Sequence, residues 1–211
     1  MNWLTRLMQH RESPPVLDLA LRETLAHWHT VPLPDLDKNH HDIRYVVLNT
    51  HVAGLGSGQE HLLAVAGIAV DHGHIDVANA YYAELDPDPE NVLAGLLSYA
   101  GSGPVVVFNA GFNRTLLERN IDHHLGVSPG WIWLDLQALL SRVLADEGSA
   151  PTSLAQWMDA LEIDTFAHFH ALGDALAIAR LLQVLLARAS GDGVTSPRAL
   201  IELERELSLP A

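Results

Sequence analysis

Asn49 and His51 stand two residues apart where an apolar run, Tyr45-Val46-Val47-Leu48, turns polar. The run is too short for a helix and β-branched at its centre, so it reads as a buried strand with the pair at its C-terminal end. On an extended chain, residues i and i+2 point to the same side of a sheet. The ends of central strands are common places for chemistry in α/β proteins. Two more polar residues sit in apolar helical patterns. Asn113 shares a face with Leu116 and Leu117, and Asp174 begins a stripe through Ala177, Ile178, Leu181 and Leu185. An amide offers one neutral carbonyl oxygen, whereas imidazole suits zinc, manganese or nickel. A set with one carboxylate is poor in the anionic oxygens that magnesium requires.

The elements that must position these residues follow from pattern and punctuation. Ser13-Pro14-Pro15 ahead of Leu17, Leu21, Leu25 and Trp28 predicts an amphipathic helix, with Ser13 as N-cap and proline at the first helical position. Residues 32–37 form a linker. After the first strand come a glycine-rich loop over 54–60, a strand over 62–71, a turn at His72-Gly73 and a strand over 74–85. Asp86-Pro87-Asp88-Pro89 breaks the chain, and Glu90 opens a helix burying Val92, Leu93, Leu96 and Leu97. The wholly apolar strand Val105–Phe108 suits a sheet covered on both faces. A helix is expected over 112–119, then a mixed segment over 131–144. Thr152 caps a helix with Leu154, Trp157, Met158 and Leu161, a long helix covers 173–189, and Ser196-Pro197 opens the last, to about Leu207.

The opening strand with Asn49-Thr50-His51-Val52-Ala53-Gly54-Leu55 resembles the first motif of the DnaQ-like (DEDD) 3'-5' exonucleases, the superfamily of the DNA polymerase III epsilon subunit and ribonuclease T. There the strand is followed by Asp-x-Glu-Thr-Thr-Gly-Leu. Phe108-Asn109-Ala110-Gly111-Phe112-Asn113 is similar to the second motif, His-Asn-Ala-x-Phe-Asp, and Ala171-Leu172-Gly173-Asp174-Ala175 to the third motif of the DEDDh branch. The resemblance covers about 44–188 and implies a ribonuclease H-like α/β fold, with a mixed central sheet flanked by helices. It implies a site of four carboxylates holding two magnesium ions, with a histidine as base. Here Asn49, His51, Asn113 and Phe169 stand at the Asp, Glu, Asp and His positions, and only Asp174 is retained. His168 and His170 flank the base position out of register. Asp135 sits where the family often has an aspartate, with a structural hydrogen bond as its expected role.

Replacing three carboxylates strips the site of the charge that would balance two dications, at a cost of several kcal/mol per ion. Magnesium catalysis is therefore expected to fail. Asn49 and Asn113 are expected to hydrogen-bond each other or nearby backbone. No cofactor is expected, and the alternative is a single manganese or zinc ion held by His51 and Asp174 once the fold brings them together. Arg44, Arg114, Arg119, Arg142 and the loop 54–58 are the candidates for phosphate contact, with a solvated surface as their ordinary role.

The chain carries 12 basic and 26 acidic residues, a net charge of −14, and one lysine, Lys38. That balance argues against a high-affinity non-specific nucleic-acid binder without excluding a grip on a short single-stranded 3' end or a nucleotide. The absence of cysteine excludes disulfides and thiolate metal sites, and no apolar run is long enough to span a bilayer. A cytoplasmic location is expected. The expected organisation is an N-terminal helical arm and linker over 1–43, the exonuclease-like domain over 44–190 and a helical extension over 191–211. Three functions follow: a catalytically impaired binding or regulatory domain, an active exonuclease with a changed metal set, or a protein-interaction module holding a partner or a second copy.

Overall fold

The computed structural model describes residues 15–56, 60–144, 150–164 and 171–207. The strand predicted around Tyr45 is the centre of the sheet. As β1, Tyr45–Ala53, it pairs antiparallel along its whole length with β2, His61–Asp71. On its other edge it pairs parallel with β5, Pro104–Val107, and only at Val46 and Val47. β5 in turn pairs parallel with β6, Ile132–Asp135. Two short strands, β3 at His74–Ile75 and β4 at Tyr81–Glu84, both pair antiparallel with β2. The sheet is thus six-stranded and mixed, in the order β3-β2-β1-β5-β6 with β4 also on β2.

Seven helices flank it among the described residues: α1 Leu19–His29, α2 Pro89–Ala100, α3 Ala110–Leu125, α4 Leu136–Leu144, α5 Leu154–Ala160, α6 Ala171–Gly191 and α7 Pro197–Leu207. Alternation along β1 divides the core. Val46 and Leu48 join the cluster with Leu93, Leu97 and Leu117 of α2 and α3, and Tyr45 and Val47 join that with Ile178, Leu181 and Leu185 of α6. Residues 45–48 are at most 1% exposed, as an apolar strand between two helical layers must be. The same alternation carries on past Leu48, where the side chains become polar, and this decides which layer each site residue meets.

Several expectations are corrected in detail. The first described helix starts at Leu19, and its N-cap is Asp18, whose carboxylate accepts from Leu21 N at 2.8 Å. Ser13 lies outside the described residues. The strand over 74–85 is two strands, separated by a 3-10 turn at Val77–Asn79 in which Asp76 accepts from Ala78 N. The helix expected over 112–119 runs to Leu125, where Gly126 closes it in the left-handed region at φ 67°. The cap of α5 is Ser153, not Thr152, in a reciprocal capping box with Gln156. The turn at His72-Gly73 has φ of 49° and 75°, the mirror-image turn that joins tight hairpins. Leu200 of α7, in the stretch expected to form a helical extension, belongs to the α6-side core.

His40 ties the chain before β1 to the loop before α7. Its Nε2 lies 3.0 Å from the Val194 carbonyl, which can only accept, so Nε2 carries the proton and Nδ1 accepts from the Tyr45 hydroxyl at 2.6 Å. Burial pushes the His40 pKa below 6.5, opposed in part by the bond to Val194. The unfolded chain therefore takes up this proton first as pH falls. Stability from neutral His40 is complete above its ordinary value near 6.5 and declines as pH drops toward the lowered folded value, at about 1.4 kcal/mol per pH unit at most. Urea unfolding at pH 7, 6 and 5 should show this decline, and His40→Gln should flatten it. An equal slope in the variant would assign the effect elsewhere.

Candidate functional site

β1 outlasts its pairing with β5 by six residues, from Leu48 to Ala53, so its edge opens there into a cleft of about 450 Å³. Asn49 and His51 continue the face that packs on α6, and Thr50 continues the face that packs on α3. The hydrogen bonds follow that division. Asn49 Nδ2 donates to the carbonyl of Ala171, in the first turn of α6, at 3.2 Å. Thr50 Oγ1 donates to Asn113 Oδ1, on α3, at 2.8 Å. Asn49, His51, Asn113 and Asp174 all line this one cleft. Phe169, His168 and His170 lie outside the described residues.

Asn113 is 7% exposed, and its amide is committed in three directions. While Oδ1 accepts from Thr50, Nδ2 donates to the carbonyls of Phe108 at 2.9 Å and Asn109 at 3.2 Å. This network fixes which end of the amide is nitrogen, because a carbonyl can only accept. Asn49 and Asn113 do not bond each other; the partners are the backbone and Thr50. A carboxylate in either place would set oxygen against oxygen unless a cation lay between them. The donor set does not fit a pair of magnesium ions: two positions hold amides facing carbonyls, and a third holds the exposed imidazole of His51. Among the described residues no group of three or more His, Asp or Glu could hold a metal ion.

Asp135 has the structural role expected for it. Its two carboxylate oxygens accept from Asn109 N at 3.2 Å and Ala110 N at 2.8 Å, at the start of α3, and from Gln137 N at 3.0 Å, at the start of α4. One side chain thus satisfies the open N–H groups of two helices and favours both positive helix ends. Asp135→Ala should cost about 2–4 kcal/mol, the sum of two caps, in urea unfolding. A loss below about 0.5 kcal/mol, the ordinary range for a surface substitution, would contradict this.

The four arginines considered for phosphate contact do not line the cleft. Arg44 lies over the Tyr99 ring, Arg114 pairs with Glu118 at 3.1 Å and Arg119 donates to the Glu60 carbonyl. A larger cavity of about 710 Å³ lies further along α3, lined by Glu60, His61, Asp86 and Arg119 among others. No motif residue reaches it, and its His124 is engaged with Glu90 at 3.4 Å, so size does not make it the site.

Thr50, Phe108, Asn109 and Phe112 also line the cleft and were not singled out as site residues, and Leu55 reaches it from the loop considered for phosphate contact. Strand alternation places Thr50 opposite Asn49 and could have flagged it. Asn109 is a non-glycine residue at φ 65°, ψ 76°, a conformation that asparagine tolerates better than most residues.

No family model matches the chain, and no curated protein does. Solved structures do. Exonuclease X in complex with 5' overhanging duplex DNA matches at a TM-score of 0.56 and 19% identity, over 76% of this chain and 99% of that one. Escherichia coli Exonuclease I with a dT13 oligonucleotide matches at 0.51 and 13% identity, over 70% of this chain and 42% of that one. The cell-death related nuclease CRN-4 matches at 0.51 and 13% identity, over 68% and 64%. The chain therefore spans nearly all of the first and less than half of the second. At these identities the likeness speaks to architecture, and together with the three motifs in order on β1, α3 and α6 it shows that the chain has the ribonuclease H-like fold of the DnaQ-like exonucleases.

Proposed function

We propose that the chain is an exonuclease-fold domain that no longer cleaves phosphodiesters with paired magnesium ions and uses its cleft to bind a nucleotide or a single-stranded 3' end. The observation that carries this reading is the commitment of Asn113: at a position where the resemblance implies a metal-binding carboxylate, the side chain holds Thr50, Phe108 and Asn109 together. A two-metal reaction needs both ions, one to activate water and one to stabilise the leaving oxygen, and among the described lining residues Asp174 is the one carboxylate for the pair. Support for a nucleic-acid ligand comes from the neighbours in complex with DNA. His51 and Asp174 line the same cleft, which keeps a single manganese or zinc ion as the second reading.

The test is thermal unfolding with nucleoside monophosphates and with short single-stranded DNA and RNA, each in EDTA, manganese and zinc. A ligand that binds the native state raises the melting temperature, by an amount set by RT ln(1 + [L]/Kd). A shift in EDTA without degradation is expected. Degradation in manganese or zinc that disappears in Asp174→Ala would establish the changed-metal enzyme instead. No response to any of these ligands, with stable self-association, would favour an interaction module.

A further inference from the structure

We infer that the cleft reads the sugar of its ligand, and that the open main-chain edge of β1 at Thr50 takes the vicinal 2'- and 3'-hydroxyls of a ribonucleotide. This rests on the reading that the cleft binds a nucleotide or a strand end. The ligand class it selects is a ribonucleotide, free or at the 3' end of an RNA strand.

The direction of the Thr50 main chain follows from the ladders. Leu85 N donates to the Leu63 carbonyl at 2.9 Å, one step past the pair of Ala64 on β2 with Glu84 on β4. Bonded pairs alternate along an antiparallel ladder, so Leu63, Val65 and Gly67 turn their N–H and C=O groups to β4, while Ala64, Ala66 and Ile68 turn theirs to β1. The partners of those last three on β1 are His51, Asn49 and Val47. The even-numbered residues of β1 therefore face the opposite edge. Val46 and Leu48 find β5 there, in keeping with the parallel pairs at Val46 and Val47, and Thr50 lies beyond its end, in the cleft. Phe108 carries the next carbonyl past β5, and it accepts from Asn113 Nδ2. Among the described residues neither the N–H nor the C=O of Thr50 has a hydrogen-bond partner.

This edge is short. The register of β1 on β2 shifts between His51 and Val52, a bulge that bends the ladder just beyond Thr50. What remains is one donor beside one acceptor, on a strand that β2 holds in place. A peptide strand needs a ladder of such groups, whereas a vicinal diol needs one of each within reach of two adjacent hydroxyls. Asn49 lines the same cleft, and its Oδ1 adds a second acceptor for a hydroxyl proton while Nδ2 donates to Ala171. Phe108 and Phe112 contribute aromatic surface, and stacking on such faces tolerates any base. Discrimination therefore falls to the sugar. The 2'-hydroxyl, donor and acceptor at once, is the group that separates RNA from DNA.

The experiment has two readouts on the full chain in EDTA. Amide exchange followed by NMR should show the Thr50 N–H exchanging about ten-fold or more faster than those of Asn49 and His51, which face β2, and adenosine 5'-monophosphate should slow it. The 2',3'-dideoxy analogue should leave it fast. In calorimetric titration the 5'-monophosphates of adenosine and uridine should each bind about ten-fold tighter than their 2'-deoxy forms, the effect of one lost hydrogen bond. A Thr50 amide as protected as its neighbours in the free chain would overturn the open edge. Equal affinity of the ribo and deoxy forms would overturn the sugar selection while leaving the nucleotide-binding reading intact, and so would an affinity set by the base whatever the sugar. Failure of all these ligands and of a single-stranded RNA to bind would remove both the inference and the reading beneath it.

Discussion

Asn113→Asp should lower stability at pH 7 by about 3 kcal/mol, although the new side chain differs from the old by one group and restores what the resemblance implies at that position. The cause is local. Nδ2 donates to the carbonyls of Phe108 and Asn109, and a carboxylate oxygen there would face two acceptors in a site 7% exposed. Desolvation and those two carbonyls would raise the folded pKa of the introduced carboxyl above its ordinary value of about 4. With a raised folded pKa, the relative penalty is least at low pH, where the group is protonated in both states, and grows as pH rises through the folded value. Urea unfolding of variant and wild type between pH 4 and 8 reads this directly. A variant as stable as the wild type at pH 7 would show that the amide network has no special weight.

The triple variant Asn49→Asp, His51→Glu, Asn113→Asp should be the least stable form in EDTA and the only one that manganese rescues. Together with Asp174 it would place four carboxylates around one cleft, and their repulsion adds to the three lost amide bonds. Manganese would then bind the native state alone, returning about 2.7 kcal/mol at one hundred times its Kd. The wild type, with its amides turned to the protein's own carbonyls, should show no comparable metal-dependent rise. Melting temperatures of both proteins in EDTA and in manganese decide the matter. Equal responses of the two would mean that residues other than these three control metal binding.

Much of this architecture could be read from residue patterns because its central elements are apolar on both sides. β1 and β5 announce themselves as short β-branched runs, and α6 as a long stripe. The split between β3 and β4 was hidden, because Asp76-Val77-Ala78-Asn79 continues an extended-looking pattern and the turn is closed by Asp76 alone, its side chain accepting from Ala78 N and its carbonyl from Asn79 N. The Ser153 cap was legible through Gln156 three residues later, the spacing of a capping box, and was passed over in favour of its neighbour.

At the site, residue types gave the chemistry while partners required three dimensions. The order of the motifs on a strand and two helices brings Asn49, His51, Asn113 and Asp174 to one cleft. That Thr50 rather than Asn49 holds Asn113 depends on which face of β1 meets α3, which spacing alone does not give. The left-handed backbone of Asn109 goes with an N–H bonded to Asp135, 26 residues away in sequence, and no local signal announces it.

The central claim is that this cleft cannot hold the two magnesium ions on which phosphodiester cleavage by such a fold would depend. A time course of nucleotide release from 3'-labelled single-stranded DNA in millimolar magnesium tests it most directly. The account predicts release no faster than in EDTA. Magnesium-dependent release that vanishes in Asp174→Ala would contradict it.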